Sequence, residues 1–267
     1  MKKIMALFKY ELKTIVKEPM NLFMLIYPFM MVGIVAFLLP AIIRSASLEG
    51  TPAATTILLI AFVMAINIGG YIMGALLGFS ILENKDNKTI LSISVTPLRL
   101  EGYVKFKLVY TYIFGILCNL IMLGGMKIFA SDAYVIVYES VTVNLMDNLT
   151  WGHILLLSLV NSLLVIFVAL VLGGFAKNKI EGFAYIKGGA ILIMTPMLVL
   201  LGAFQDAKQY ILGFLPNFWH TKAIFNVATS SDATSNLPFI VYLLIGSALM
   251  FTLGAWMYKI FLKQNKS

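Results

Sequence analysis

The residues best suited to chemistry on another molecule lie in one stretch, Asn84 to Pro97, NKDNKTILSISVTP. Glu83 stands just before it, and Lys85 and Asp86 give it a mixed-charge start. Thr89, Ile90, Ile93 and Val95 follow with apolar spacing, then Thr96 and Pro97, then a basic return at Arg99, Lys105 and Lys107. Such a segment offers non-covalent chemistry: ion pairs beside an apolar ridge that a partner protein can grip. Ile90 with Ile93, and Leu91 with Val95, share a face at helical spacing. Leu91, Ile93 and Val95 also alternate like a strand, so periodicity leaves both conformations open. Covalent catalysis has no comparable set. The chain contains no GxxxxGK[ST] phosphate loop, no HExxH, no Cys/His cluster at metal spacing and no Ser-centred nucleophile elbow. Without a phosphate loop, ATP hydrolysis is not expected of this chain by itself. The single cysteine, Cys118, lies in an apolar run and reads as a small buried hydrophobe. His153 and His220 are the only histidines, too few for a histidine-based metal site.

The segment is wedged between apolar runs that must hold it. The chain has 267 residues, 60% of them hydrophobic and 12% charged, with mean hydropathy +0.92. A soluble domain carries about 25% charged residues, so there is too little polar surface here to coat a water-soluble globule. Six runs near 22–43, 55–82, 104–126, 151–176, 188–204 and 239–260 approach or exceed the roughly 20 residues that a bilayer crossing needs. Backbone polar groups in lipid must pair within their own segment, so such runs form a helix bundle. The period-two alternation of a membrane barrel is missing. The first run is too long for a signal-peptide apolar region of about 7–15 residues and reads as a retained helix. The Asn148-Leu149-Thr150 sequon reads as a chance match.

Charge orients the bundle. Lysine and arginine cluster in the first 17 residues, in the 83–107 region, at Lys177, Lys179 and Lys187, and at Lys259, Lys263 and Lys266. Only Arg44, Lys127, Lys208 and Lys222 fall at the other ends of the runs. Positive charge in short loops marks the cytosolic side. Both termini, the 83–103 loop and the 177–187 loop are therefore expected in the cytosol, in agreement with an even number of spans. The net charge of +8 is thus an orientation signal and no evidence for nucleic acid. Residues 1–18 form an amphipathic pattern: Ile4, Leu7, Phe8, Leu12, Ile15 and Val16 recur at helical spacing, with Lys2, Lys3, Lys9, Lys13 and Lys17 elsewhere around the wheel. A basic amphipathic helix of this kind lies in the headgroup plane, and Pro19 ends it.

Within the runs, Gly70, Gly74 and Gly78 repeat every four residues and make a smooth face for close helix approach, beside a row of Ala61, Ala65 and Gly69. No Asp or Glu sits in the middle of a run. Ion-coupled carriers commonly place a carboxylate at membrane depth, so the energy source is expected outside this chain. Asn67, Asn119, Asn161 and Thr195 read chiefly as interhelical hydrogen-bond formers. Pro28 and Pro196 favour kinks. The 205–238 segment carries Tyr210, Phe214, Phe218 and Trp219, which suit an interfacial belt. A short re-entrant or interfacial helix is expected there, followed by a polar loop at 230–236. Candidate residues along a substrate path are Asn67, Tyr71, Met194, Thr195 and Met197. With many Phe, Met and Leu residues and no fixed charge, that path suits an apolar or amphipathic cargo.

The chain resembles the ABC-2 family of transporter permeases, the membrane subunits of type V exporters. Members often carry a pattern like ERExGTLEQLLVTP after the second span, followed by a stretch ending in GK. Lys85 and Asp86 match its basic and acidic positions; Thr89, Ile90, Ile93, Val95, Thr96 and Pro97 match its Thr, apolar and V-T-P positions; Lys107 matches the final Lys. Asn84 stands at the leading acid, Lys88 where the family favours Gly, Leu91 where it favours Glu and Phe106 where it favours the Gly of GK. The resemblance implies a single all-α transmembrane domain over 1–267 with an amphipathic elbow helix. It implies a coupling helix at 83–103, a second, smaller contact at 177–187 and an outer gate at 205–238. It also implies an ATP-binding partner subunit that carries ATP and Mg, and a second permease copy or a related permease. The expected setting is a bacterial inner membrane. The alternative is a membrane receptor or immunity protein that binds a membrane-active compound without moving it.

Overall fold

The computed structural model describes residues 13, 17, 19–87, 100–138, 141–201, 204, 207–229 and 237–265. Of the amphipathic segment 1–18, only Lys13 and Lys17 fall among them, both helical and exposed. Thr89, Ile90, Ile93, Val95, Thr96 and Pro97, and the expected polar loop at 230–236, lie outside the described residues.

Among the described residues, six helices are long and apolar enough to cross a bilayer: Leu25–Ser45, Pro52–Asp86, Glu101–Phe129, Trp151–Phe175, Lys179–Leu200 and Leu237–Gln264. We number them as spans one to six. They form an all-α membrane bundle, as the apolar runs require. The second span, a 35-residue helix, is about 52 Å long at 1.5 Å per residue, well beyond the roughly 30 Å of a hydrocarbon core. It starts where Thr51 caps it, the hydroxyl accepting the Ala54 N–H at 3.2 Å, with Pro52 in the first helical turn. The second and fourth spans make the centre, with 67% and 61% of their apolar windows buried; the fifth has only 17% buried.

The fifth span corrects the sequence reading. It was expected over 188–204, with 177–187 as a loop, but the helix begins at Lys179. Asn178 caps it by accepting the Glu181 N–H at 2.9 Å, and the Glu181 carboxylate in turn accepts the Lys177 N–H at 2.8 Å. Capping extends a helix through charged residues that a hydropathy window scores as loop. Its other end tightens from α to 3-10 geometry over Thr195–Leu200, where Pro196 cannot donate a backbone hydrogen bond.

The first span carries a π-helical segment, Gly33–Leu38, and its cause is visible. The Leu39 N–H bonds back five residues to the Ile34 carbonyl. The next donor in that register would be residue 40, which is proline and has no N–H. The Val35 carbonyl is thereby left without a helical donor. Tyr134, fully buried, donates its hydroxyl to that carbonyl at 2.8 Å. Burial pushes the Tyr134 hydroxyl far above its ordinary pKa, so it remains a donor. Tyr134 leads into an antiparallel hairpin between the third and fourth spans, Val135–Tyr138 with Val141–Asn144. The Val137 N–H bonds the Thr55 hydroxyl at 2.8 Å, which pins the hairpin to the second span. Replacing Tyr134 with Phe should orphan the buried Val35 carbonyl at a cost of about 1–3 kcal/mol. A lowered thermal midpoint in detergent, partly restored by adding Pro40→Ala, is the expected result. Equal midpoints for Tyr134→Phe and the parent would dismiss this account of the π segment.

Between the fifth and sixth spans the chain turns back into the bundle. A 3-10 stretch, Ala207–Phe214, leads to a helix at Phe218–Thr229. Phe218, Thr221, Ala223, Ile224 and Ala228 on that helix are wholly buried. The Asn217 amide donates to the Ile193 carbonyl at 2.6 Å and the Thr221 hydroxyl meets Asn67, near the middle of the second span. The helix therefore re-enters the bundle and packs against the second and fifth spans.

Candidate functional site

The lysine-rich end of the bundle is a junction of three spans. Glu83, Lys85 and Asp86 do not begin a separate element after the second span; they form its last turn. Lys85 donates to the Gly173 carbonyl at 2.5 Å and to the Ala176 carbonyl at 3.4 Å, at the end of the fourth span. The last carbonyls of a helix lack internal donors and carry the negative end of its dipole. The helical donor that would serve Gly173 is the Lys177 N–H, which goes instead to Glu181. Asp86 accepts the Lys179 N–H at 3.3 Å, at the start of the fifth span, where the dipole favours an anion. Glu83 pairs with the Lys179 ammonium at 3.8 Å. Three residues expected to face a partner thus tie spans two, four and five to one another.

The third span joins the same end through Lys107, which is fully buried. Its ammonium donates to the Ser80 hydroxyl at 2.7 Å and lies 5.1 Å from the centre of the Tyr103 ring. The Asn84 amide donates to the Tyr103 hydroxyl at 2.9 Å. The sequence marked Lys107 only as part of a basic return. The signal for its burial was Tyr103 one helical turn earlier, on the same face.

The glycine row faces the fourth span. A Cβ on Gly74 would lie 2.6 Å from the Val168 Cβ and 2.8 Å from the Val165 carbonyl oxygen, and one on Gly78 would lie 2.6 Å from a Leu172 methyl. Gly70 is looser, with the Asn161 amide at 3.3 Å. Just above this seam sits a chain of buried amides. Asn161 donates to the Ile66 carbonyl at 3.1 Å and to the Asn119 side-chain oxygen at 2.9 Å; Asn119 donates to the Ser162 hydroxyl at 3.2 Å. These two asparagines bond between helices, as the sequence suggested. Among the described residues, Thr195 bonds within its own helix, to Ile191 at 2.8 Å.

The five candidate path residues separate into three places. Met194, Thr195 and Met197 line one cavity of about 550 Å³ beside Ile60 and Ile191. Tyr71 lines another of about 350 Å³, on the other side of the fifth span. Asn67 is fully buried and donates to the Thr221 hydroxyl at 3.2 Å. A third cavity, about 300 Å³, lies at the opposite end of the bundle and includes Arg44, Glu49 and Asp132. Sequence reasoning gave His220 no role beyond a weak ligand candidacy. It is buried against Gly246, and its ring nitrogens have no hydrogen-bond partner among the described residues. Also among the described residues, no group of three or more His, Cys, Asp or Glu could hold a metal ion.

Six apolar helices packed around amide and glycine seams define a multi-pass helical membrane protein. The family model described as "Fluoroquinolones export permease protein Rv2686c-like" matches residues 11–258, and the chain belongs to that family of export permeases. No curated protein matches it.

Proposed function

We propose that the chain is the membrane subunit of an ATP-driven exporter of the ABC-2 type, powered by a separate ATP-binding subunit that binds ATP and Mg. The observation that carries this reading is the junction at the lysine-rich end. The second span extends beyond bilayer length and ends in a turn bonded to spans four and five, and the segment from residue 88 to 99 departs from that turn. A force applied to Thr89, Ile90, Ile93, Val95, Thr96 and Pro97 by a docked ATPase would reach three spans together. The lysine-rich end is the cytosolic one in this reading, with both termini in the cytosol and the chain in a bacterial inner membrane. A second copy, or a related permease, covers the bare face of the fifth span. The re-entrant helix forms the outer gate. The cargo is a hydrophobic or amphipathic compound, and the family description points to fluoroquinolones.

Because Lys85 and Asp86 are bonded within the chain, the docking test belongs farther out. Ile90→Asp with Ile93→Asp should abolish co-purification of an ATP-binding protein with the tagged chain, and should raise cellular fluoroquinolone accumulation to the level of cells lacking it. Retention of the ATPase by the double variant would remove the coupling role. Drug protection that persists when the ATPase partner cannot hydrolyse ATP would favour a receptor or immunity protein.

A further inference from the structure

The cavity beside Tyr71 is lined by spans two, four, five and six and by residues 214–216. Its floor is apolar and buried: Val168 and Leu172 from the fourth span and Ile193 from the fifth. Leu215 and Pro216, at the tip of the re-entrant segment, cap the end nearer the outer loops. The rings of Tyr71, Phe167, Tyr185 and Phe214 supply aromatic walls, and among the described residues no charged one lines it. Leu192, 58% exposed, and Phe214, 69% exposed, stand where it opens sideways to the surface that lipid would cover. The volume, about 350 Å³, is at the lower end of the about 300–1,000 Å³ of small-molecule sites.

One wall is fixed. The Tyr71 hydroxyl donates to the Ile186 carbonyl at 2.6 Å, and a Cβ on Gly189 would lie 2.6 Å from that hydroxyl. The glycine gap and the hydrogen bond together hold the ring against the fifth span. Its polar atom is satisfied by the backbone, so the face it shows the cavity is aromatic only. Rings prefer offset or edge-to-face contacts with other rings, worth about 0.5–1.5 kcal/mol each beyond area burial. A lipid acyl chain running along the bilayer normal would meet the Leu215–Pro216 cap. A compact ring system would not.

We propose that this cavity binds an uncharged, planar, multi-ring molecule that enters sideways from the bilayer, with the re-entrant tip as its cap. That such a molecule is cargo rests on the exporter reading; that it binds here does not. The two further cavities described above differ in chemistry, one being bordered by charged residues and the other lined by aliphatic and Met side chains and Thr195.

The test uses the full chain in lipid nanodiscs and acridone, a neutral three-ring fluorophore, with empty nanodiscs as the partition control. Saturable binding near one acridone per chain is expected. Val171→Trp and, separately, Leu253→Phe fill the cavity from two different spans, so a folding failure in one leaves the other. Each should weaken binding at least tenfold. Ile191→Trp, in the cavity across the fifth span, should change it less than twofold. Absence of saturable binding above empty discs would overturn the proposal, as would insensitivity to both filling variants. So would a phospholipid that stays with the purified parent chain, is shed by Val171→Trp and is not displaced by acridone; that result assigns the cavity to an acyl chain. ATPase co-purification and drug accumulation are read separately. They can therefore fail while acridone binding stands, or stand while it fails.

Discussion

Replacing Lys85 with Met is expected to cost about 1.5–3 kcal/mol of stability and to reduce export to near background. The lysine makes charge-assisted hydrogen bonds to the carbonyls of Gly173 and Ala176, and bonds to charged groups are worth about 1.5–3 kcal/mol. Met preserves the length and an apolar stem, so the loss isolates the ammonium, which also lies 5.8 Å from the centre of the Phe261 ring. Without it the Gly173 carbonyl has no donor, since the Lys177 N–H is held by Glu181. Lys85→Arg should retain most of the stability, because a guanidinium also carries several donors. The Glu83–Lys179 pair is the internal control. It is long at 3.8 Å and partly exposed, and pairs of that kind contribute about 0–1 kcal/mol. Thermal midpoints of the purified variants and fluoroquinolone accumulation in cells measure the two effects. If Lys85→Met matched Glu83→Gln in both assays, the junction would not be what joins the three spans.

This junction also shows what a sequence can and cannot reveal. The six spans were legible because about 20 apolar residues in a row have few other solutions. Their ends were not, because ends are decided by caps and tertiary ties. Asn178 and Glu181 start the fifth span nine residues before its apolar run, and Lys85 and Asp86 continue the second span past its own. Gly70, Gly74 and Gly78 were legible as a packing face, because spacing alone puts them on one side of a helix. That they meet Asn161, Val168 and Leu172 on the fourth span was not. Asn67 was equally ambiguous: an amide at mid-span can face a path or a neighbour, and here it meets Thr221 of the re-entrant helix. The π segment depended on Pro40 together with a tyrosine nearly a hundred residues away, a coincidence no local pattern contains.

Gly74→Val should be the most damaging single substitution in the bundle. Real Cβ atoms almost never approach another heavy atom within 3.0 Å, yet one at position 74 would have Val168 Cβ at 2.6 Å and the Val165 carbonyl oxygen at 2.8 Å. The first is the root of a β-branched side chain and the second is backbone, so neither can swing aside. Spans two and four would have to separate, and they are the two most buried of the six. Overpacking costs about 1–3 kcal/mol when neighbours can shift, and more when they cannot; in a membrane the spacing between helices also decides whether their side-chain hydrogen bonds can form. The Asn161 bonds to Ile66 and Asn119 lie on the same face, so they should weaken with it. A graded series tests the mechanism. Gly70→Ala meets its nearest neighbour, the Asn161 amide, at 3.3 Å, which need give only a few tenths of an ångström, and should cost less than Gly74→Ala; Gly254→Ala meets nothing within 4 Å and should be neutral or slightly stabilising. Gly74→Ala should fall between these and Gly74→Val, which is expected to lower the yield of folded protein severely. Midpoints from thermal unfolding in detergent should follow the order 254, 70, 74. A Gly74→Ala variant as stable as Gly254→Ala would mean that the two central spans are not in contact through this seam.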